Sequence, residues 1–393
     1  MMAFKDTIYI LLGLINRQFK QMTQNHIYLV CMVVLPLLCI FFFSDMMQTG
    51  LPSNMPAGVV DLDNSATSRK ITRNLDAMQL TDVKKIYPNV TEARRAMQRG
   101  DIYGFFYFPP HMSEDLTAAR QPTVSFYYNN GYMLAGSMLY KDMKTVATLA
   151  GAAVAMYKMS AMGYTSRQIK ANLQPIVVDT HIISNPTMDY NVYLSTSMIP
   201  TCLGIFIFLI TAYSIGTELK FNRARKWMKQ SKGNMLLAMT GKLFPQTLVF
   251  TLIVFIYIIT LFHFYRFPYH CHPALLYVNG FLFVLAAQGF GVFMFGLLPS
   301  LRMSMSLCAL WSVVSFSIGG FTFPVDAMSP GLQSMAYLFP MRSYYMIYQM
   351  VVLNGYSVYY AWMYYVILLV FALLPFVVLP RIKNAMLHYV YIP

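Results

Sequence analysis

The chain has 393 residues, of which 57% are hydrophobic and only 11% charged, and its formal net charge is +14 at pH 7. This composition excludes an ordinary water-soluble globular protein, because such proteins carry about 25% charged residues. The positive excess does not indicate a nucleic-acid partner. In the long polar region, residues 44–196, basic and acidic residues are nearly equal in number. The excess lies in short segments next to apolar stretches, where positive charge sets the orientation of membrane proteins.

The N-terminal residues combine an amphipathic pattern with an apolar stretch. Apolar residues recur every three or four positions, at Phe4, Ile8, Leu12, Ile15, Phe19 and Met22. We expect residues 1–26 to form a helix lying on the cytoplasmic membrane face. A plain continuation of the first span into water is an equal alternative. Residues 27–43 are predicted to be the first transmembrane helix, since about 20 apolar residues cross a bilayer core.

Residues 44–196 alternate strand and helix patterns. We expect a compact mixed α/β domain with long helices, built on a βαβαβ order. The predicted strands are 57–62, 83–87, 102–108 and 123–128, with a return strand at 177–183. The predicted helices are 68–78, 91–99 with Asn89 as N-cap, 110–119, 133–162 and 166–173.

Five further apolar stretches follow, and they predict a five-helix transmembrane region over residues 197–393. The expected spans are 197–215, 243–265, 274–298, 303–324 and 357–379. Lysines and arginines concentrate before the first span, in the loop 216–242 and after the last span. The positive-inside rule therefore predicts cytoplasmic termini and an extracytoplasmic 44–196 domain. Segment 325–355 is too polar and proline-rich for a span, which favours re-entrant or interfacial helices on the outer side.

Residues that could carry chemistry are few. Four of the five cysteines fall inside predicted spans, so no disulfide framework is expected. The run His270-Cys271-His272 cannot easily converge on one ion, and we expect no metal site. The sequence has no phosphate-binding loop of the G-x-x-x-x-G-K-[ST] type and no paired catalytic His and acid groups, so we expect neither catalytic residues nor a bound cofactor.

Several motifs resemble those of ABC type-2 permeases, the membrane subunits of ATP-binding-cassette exporters. The first strand of the polar region reads Gly-Val-Val-Asp-Leu-Asp-Asn-Ser over 58–65, followed by Ser68-Arg69. Further matches are Glu92-Ala93-Arg94 with Gly100, the strand 105–110 ending in proline, and Asn185-Pro186 with Tyr190. Outside this region, 241–245 reads Gly-Lys-Leu-Phe-Pro and 320–324 reads Gly-Phe-Thr-Phe-Pro, followed by Met328, Pro330 and Pro340. The matches cover nearly the whole chain in the family's order.

The resemblance implies a multi-pass inner (plasma) membrane subunit of the group with a large external domain. Such a subunit pairs with a second copy or a paralogue and with ATP-binding-cassette ATPase subunits, which bind the ATP and magnesium. A membrane-fusion protein is a further candidate partner. The apolar spans favour an amphiphilic substrate such as a drug or lipid, moved out of the cytoplasm or the inner leaflet; the sequence does not identify substrate-binding residues.

Two segments are candidate sites under this resemblance. In loop 216–242 we expect an amphipathic coupling helix that contacts the ATPase, with the residues Glu218, Arg225, Lys226, Trp227, Gly241 and Lys242. A basic loop resting on anionic lipid is the alternative. The outer re-entrant segment, which in the family lines the outer end of the conduit, contributes Phe321, Pro324, Pro330, Pro340 and Tyr344. An aromatic belt without a transport role is the alternative there.

Two other function classes compete with an exporter. A membrane-anchored receptor or envelope scaffold would act through the external domain, but five further spans exceed what an anchor requires. An integral-membrane enzyme would need clustered catalytic groups or a motif such as H-E-x-x-H, and the sequence contains neither.

Overall fold

The computed structural model describes residues 4–48, 50–118 and 120–388. The chain divides into two compact units, one formed by the residues up to Gln48 and from Ile182 onward, the other by Thr49–His181. The first is helical, and the second combines a sheet with helices. The mixed helical and sheet composition predicted from the sequence is therefore confirmed.

The helical unit begins with an N-terminal helix, Phe4–Gln24, and contains six helices long and apolar enough to cross a membrane among the described residues. These spans 1 to 6 are His26–Met46, Tyr190–Lys220, Met235–Phe264, Pro273–Leu297, Leu301–Ile318 and Val358–His388. All six were predicted. Most extend further than their apolar stretches, because a helix continues into flanking polar residues that hydropathy alone does not count.

Spans 2 and 4 form the centre of the bundle. They pack against each other, with span 5 on span 2 and span 6 on span 4. Small residues permit close approach: a side chain at Gly291 of span 4 would meet Thr211 and Phe208 of span 2, and one at Gly296 would meet Val378 of span 6. Such glycines allow helix backbones to pack tightly in lipid, where van der Waals contact replaces the hydrophobic effect between helices.

Proline and glycine residues interrupt the regular helices at two places. In span 1 a π-helical turn, Val30–Val34, ends two residues before Pro36, whose missing N–H and ring disturb the regular hydrogen-bond ladder. The prediction that the fifth span reaches residue 324 is wrong. That helix ends at Ile318 because Gly319 and Gly320 follow, and Gly320 has a φ of 89°, a conformation that only glycine adopts readily.

The segment between spans 5 and 6 folds into short helices. They are the 3₁₀ turn Val325–Ala327, the helices Pro330–Ala336 and Pro340–Ile347, and the π-helical turn Tyr348–Leu353. Pro330 and Pro340 each begin a helix, which suits a residue that lacks a backbone N–H.

The second unit is built on a four-stranded sheet with the order β2-β1-β3-β4. Its strands are β1 Met55–Asp61, β2 Thr81–Tyr87, β3 Gly104–Phe108 and β4 Ser125–Tyr128. β1 pairs in parallel with β2 and β3, and β4 pairs antiparallel with β3, so the sheet is mixed as predicted.

Helices pack on both faces of this sheet: Ala66–Asp76, Met112–Thr117 and Met133–Ala161 contribute to the core on one face, and Val90–Arg99 to the core on the other. A further helix, Ser166–Leu173, packs on Met133–Ala161. Alternate strand residues point to opposite faces, so Val59 packs with the long helix at Leu139 and Met143, while Val60 packs with Ala93 of the helix that follows β2. The predicted cap of that helix is confirmed, because the Glu92 amide donates to Asn89 Oδ1 at 2.9 Å.

The predicted return strand at residues 177–183 is wrong. These residues have no regular secondary structure, and Ile176, Val177 and Ile183 are exposed. The apolar run has the composition of a strand, but a strand forms only where a neighbouring strand satisfies its backbone groups.

Candidate functional site

One carboxylate joins three segments at the basic end of the helical unit. Glu218, near the end of span 2, accepts hydrogen bonds from Arg17 Nη2 and Lys242 Nζ, each at 2.7 Å. Arg17 belongs to the N-terminal helix and Lys242 to the start of span 3. The three residues form what we call the charge cluster.

Residues around the charge cluster make further contacts with its lysine. Lys242 Nζ also donates to Gln18 Oε1 at 3.1 Å and lies 5.1 Å from the centre of the Trp227 ring. Gln21 Nε2 approaches Glu218 Oε1 at 3.4 Å. An ammonium group is thus held by a carboxylate, an amide oxygen and an aromatic face, which are the groups that stabilise a buried cation.

Burial makes the charge cluster sensitive to change. Lys242 is 2% exposed and Glu218 1% exposed, whereas Arg17 retains partial contact with the surface. Removing a charge from water costs several kcal/mol unless a partner of opposite sign and good geometry compensates. The cluster therefore constrains the relative positions of the N-terminal helix, span 2 and span 3.

Between spans 2 and 3 lies a short helix, Ala224–Gln230, which we call the loop helix. One side is buried through Trp227 and Met228, and the other exposes Arg225, Lys226 and Lys229. Its cationic side is therefore available to a partner.

The other residues predicted for the ATPase contact are placed differently. Glu218, Trp227, Gly241 and Lys242 are buried, so in this conformation they cannot touch a partner's surface directly. A side chain at Gly241 would place its Cβ 2.6 Å from Leu14 Cβ of the N-terminal helix. These residues instead hold the loop helix, the N-terminal helix and the two spans together.

A cavity of about 500 Å³ opens beside the charge cluster, between the N-terminal helix, span 1 and span 2. Its lining is partly polar and partly apolar: Gln21, Gln24, Asn25, His26, Ile27, Tyr28, Thr217, Glu218, Phe221 and Arg223. The cavity lies where the first and second spans meet the basic loops of the chain.

The residues predicted for the outer re-entrant segment come together only in part. The ring of Phe321 is buried and meets Tyr345 edge-on at 4.8 Å, and the Phe321 carbonyl accepts a 2.6 Å hydrogen bond from the Tyr193 hydroxyl of span 2. Tyr344 packs on Phe283 of span 4 at 4.7 Å between ring centres. Pro340 is buried, whereas Pro324 and Pro330 are exposed at the starts of short helices.

Next to these residues Arg342 is buried without an acidic partner among the described residues. Its Nη1 donates to the Gly319 carbonyl at 3.1 Å, and its guanidinium lies 5.3 Å from the centre of the Tyr337 ring. Tyr337 also borders an apolar groove of about 530 Å³ between spans 4, 5 and 6. The remaining lining is Phe290, Phe293, Met294, Leu297, Leu307, Trp311, Leu338, Ile367, Val370, Phe371 and Leu374.

In the second unit the Asp-x-Asp pair forms a junction at the end of β1. Asp61 Oδ2 accepts from Ser68 Oγ at 2.6 Å, and Asp63 accepts from the Ser113 amide and hydroxyl at 3.1 and 2.8 Å. Partial burial tends to raise the pKa of Asp63, but the hydrogen bonds from Ser65 and Ser113 outweigh it and lower this pKa below its ordinary value. The motif thus ties β1 to two helices.

Sequence reasoning missed the contribution of the N-terminal helix to the charge cluster. Arg17 was counted only among the basic residues that set the membrane orientation, and no role was predicted for Gln18 or Gln21. The available signal was the spacing of Arg17 and Gln21, four residues apart on the polar side of an amphipathic helix. The contact with Glu218 spans 201 positions and cannot be inferred from local periodicity.

Comparison with known proteins gives one family. A family model described as ABC-2 family transporter protein matches residues 26–379, most of the chain. A search of curated proteins finds no match.

Proposed function

Because the chain belongs to the ABC-2 family of transporter proteins, we propose that it is the permease subunit of an ATP-driven exporter. Separate ATPase subunits would bind ATP and magnesium and hydrolyse the nucleotide. The chain would contribute the membrane path and the surface on which the ATPase acts. The observation that carries this proposal is the set of contacts from the cationic loop helix through Trp227 to Lys242 and Glu218, which belong to spans 3 and 2.

The loop helix has the properties required of a coupling element. Arg225, Lys226 and Lys229 are exposed, and Trp227 anchors the opposite side against Lys242. A push on the exposed side would pass through Trp227 to the charge cluster, and from there to the ends of two spans. Motion of rigid helices about a packed contact is a common way to transmit such a change.

The N-terminal helix would lie at the cytoplasmic membrane surface. Its buried side packs on span 3 through Leu14, while Ile8, Leu12 and Phe19 remain exposed. An exposed apolar stripe on a helix with lysines nearby fits a position at the lipid headgroups. Together with the basic loops, this position supports cytoplasmic termini and an extracytoplasmic second unit in the inner membrane.

The apolar groove between spans 4, 5 and 6 supports an amphiphilic substrate. Side chains such as Phe290, Trp311 and Phe371 form a surface that suits a hydrocarbon or aromatic body. A second copy or a paralogue of this chain would complete the path, and the outer aromatic cluster at Phe321 and Tyr345 would lie towards its exit. A membrane-fusion protein would continue the path on the outer side.

The test reverses the charge of the loop helix. We expect Arg225→Glu with Lys226→Glu to lower copurification of the ATPase subunits at least severalfold and to abolish substrate-dependent ATP hydrolysis in proteoliposomes, because complementary charge governs such docking. The matched control is Arg94→Glu with Arg95→Glu, an exposed arginine pair on a helix of the second unit. Unchanged assembly and hydrolysis in the loop-helix variant would refute the coupling role.

A further inference from the structure

We propose that the cavity beside the charge cluster binds the phosphate headgroup of an anionic glycerophospholipid. This inference goes beyond the transport function and requires neither ATP nor an ATPase. It rests on the lining of the cavity, on the balance of charge around it and on the apolar surface that continues from it.

Two side chains that line the cavity are hydrogen-bond donors without a hydrogen-bonded partner among the described residues. Gln24 and Arg223 make no side-chain hydrogen bond or ion pair among the described residues; the Arg223 guanidinium lies 5.4 Å from the centre of the Phe221 ring. Other polar groups are already engaged: Asn25 Nδ2 donates to the Tyr213 hydroxyl at 3.2 Å, and the Thr217 hydroxyl donates to the Ser214 carbonyl at 3.0 Å. An arginine beside an amide at an open cavity suits an oxyanion.

Charge around the cavity favours an anion. Glu218 belongs to the lining, but its two oxygens accept from Arg17 and Lys242, so two cations share one carboxylate. Arg223 adds a third positive charge at the cavity, with no acid paired to it among the described residues. A phosphate group would offset this local excess, which the described residues leave uncompensated.

The apolar part of the lining identifies the ligand as a lipid. Ile27 lies in the cavity wall at the first turn of span 1 and is 45% exposed, and Leu29 and Val30 continue the exposed surface along that span. An acyl chain could follow this surface into the bilayer while its headgroup occupies the cavity. Basic pockets between transmembrane helices at the level of the headgroups are known to select anionic lipids.

The experiment measures lipid retention by native mass spectrometry on the purified, delipidated full-length chain. The probes are phosphatidylglycerol, phosphatidylcholine and soluble glycerol 3-phosphate. We expect phosphatidylglycerol to bind more tightly than phosphatidylcholine, Arg223→Ala to weaken it about fivefold, and Gln24→Trp to block it by filling the cavity. Lys229→Ala is the matched control, since it removes an exposed cation of the same loop that does not line the cavity.

Three outcomes would overturn the proposal. Equal affinity for the two lipids, or an Arg223→Ala variant that behaves like Lys229→Ala, would leave only general binding of lipid around the spans. Displacement of phosphatidylglycerol by glycerol 3-phosphate at equal concentration would assign the cavity to a soluble phosphate compound. None of these lipid measurements depends on whether the chain transports a substrate.

Discussion

Glu218 and Lys242 depend on each other at the level of single residues, since each is buried and each supplies the charge that the other lacks. The sequence analysis named both as candidate contacts with an ATPase, on the resemblance to a permease family. It could not show that they face each other, because the contact depends on how spans 2 and 3 pack. Sequence reasoning therefore took them for surface residues, whereas the helical packing encloses them.

Neutralising one member of the pair should cost more than neutralising both. We expect Glu218→Gln to destabilise the chain by about 3–5 kcal/mol, because Lys242 would remain as a buried cation without its carboxylate. Adding Lys242→Met should recover much of this loss, since the remaining cation, Arg17, reaches the surface. The measurement is unfolding in detergent micelles, analysed as a double-mutant cycle.

The control for this cycle is Lys229→Met, an exposed lysine of the loop helix. It should unfold like the wild type, because exposed charges contribute little to stability. If the double variant proved less stable than Glu218→Gln, the mutual compensation of Glu218 and Lys242 would be disproved.

Helices and strands were predicted best where a local physical signal fixes them. Six apolar stretches predicted the six spans, and Asn89 predicted the start of the helix Val90–Arg99. Prediction failed where a distant partner decides the outcome: residues 177–183 have strand composition but pair with no strand, and span 5 ends at a glycine pair inside a stretch that remains apolar. Hydropathy reports suitability for burial, whereas pairing and backbone geometry decide the structure.

The junction at the end of β1 makes the second unit sensitive to acid. The pKa of Asp63 is lowered in the folded state, so its contribution to stability is fully present above the unfolded value of about 3.9 and disappears as the pH falls through the lower folded value. We expect Asp63→Asn to cost about 1–2 kcal/mol at pH 7, because Ser113 loses a charged acceptor.

Chemical unfolding followed across this pH range measures the effect. The difference between wild type and Asp63→Asn should shrink as the pH falls towards 3. Asp179→Asn, at an exposed aspartate of the same unit, is the control and should stay close to the wild type throughout. A constant difference at all pH values would mean that the Asp63 charge is not what stabilises the junction.

The whole molecule consists of two units with separate hydrophobic cores. The core of the second unit, which includes Val59, Phe106 and Met143, contains only residues of that unit. Its long helix has a buried first half, but Leu149, Met156 and Tyr157 in the second half are exposed. This distribution suggests that the sheet and the first half of the long helix fold without the spans.

We expect a fragment of residues 50–181 to fold cooperatively, because it contains its whole core, with a free energy of unfolding of about 5–15 kcal/mol. Amide hydrogen exchange should show strong protection in β1 and β3 and weak protection in the helix beyond Leu149. In the same fragment Phe106→Ala should cost about 3–5 kcal/mol, since it empties the centre of the core. A fragment without a cooperative transition would show that its fold requires the helical unit.

The charge cluster also bears on how the chain is made. Arg17 leaves the ribosome first, Glu218 some 200 residues later and Lys242 last, so the carboxylate is synthesised before one of its two partners exists. During that interval Arg17 is the only cation of the cluster available to accompany Glu218 at the membrane. Arrival of Lys242 then completes the cluster, so the contact between spans 2 and 3 can form only after both spans have been synthesised.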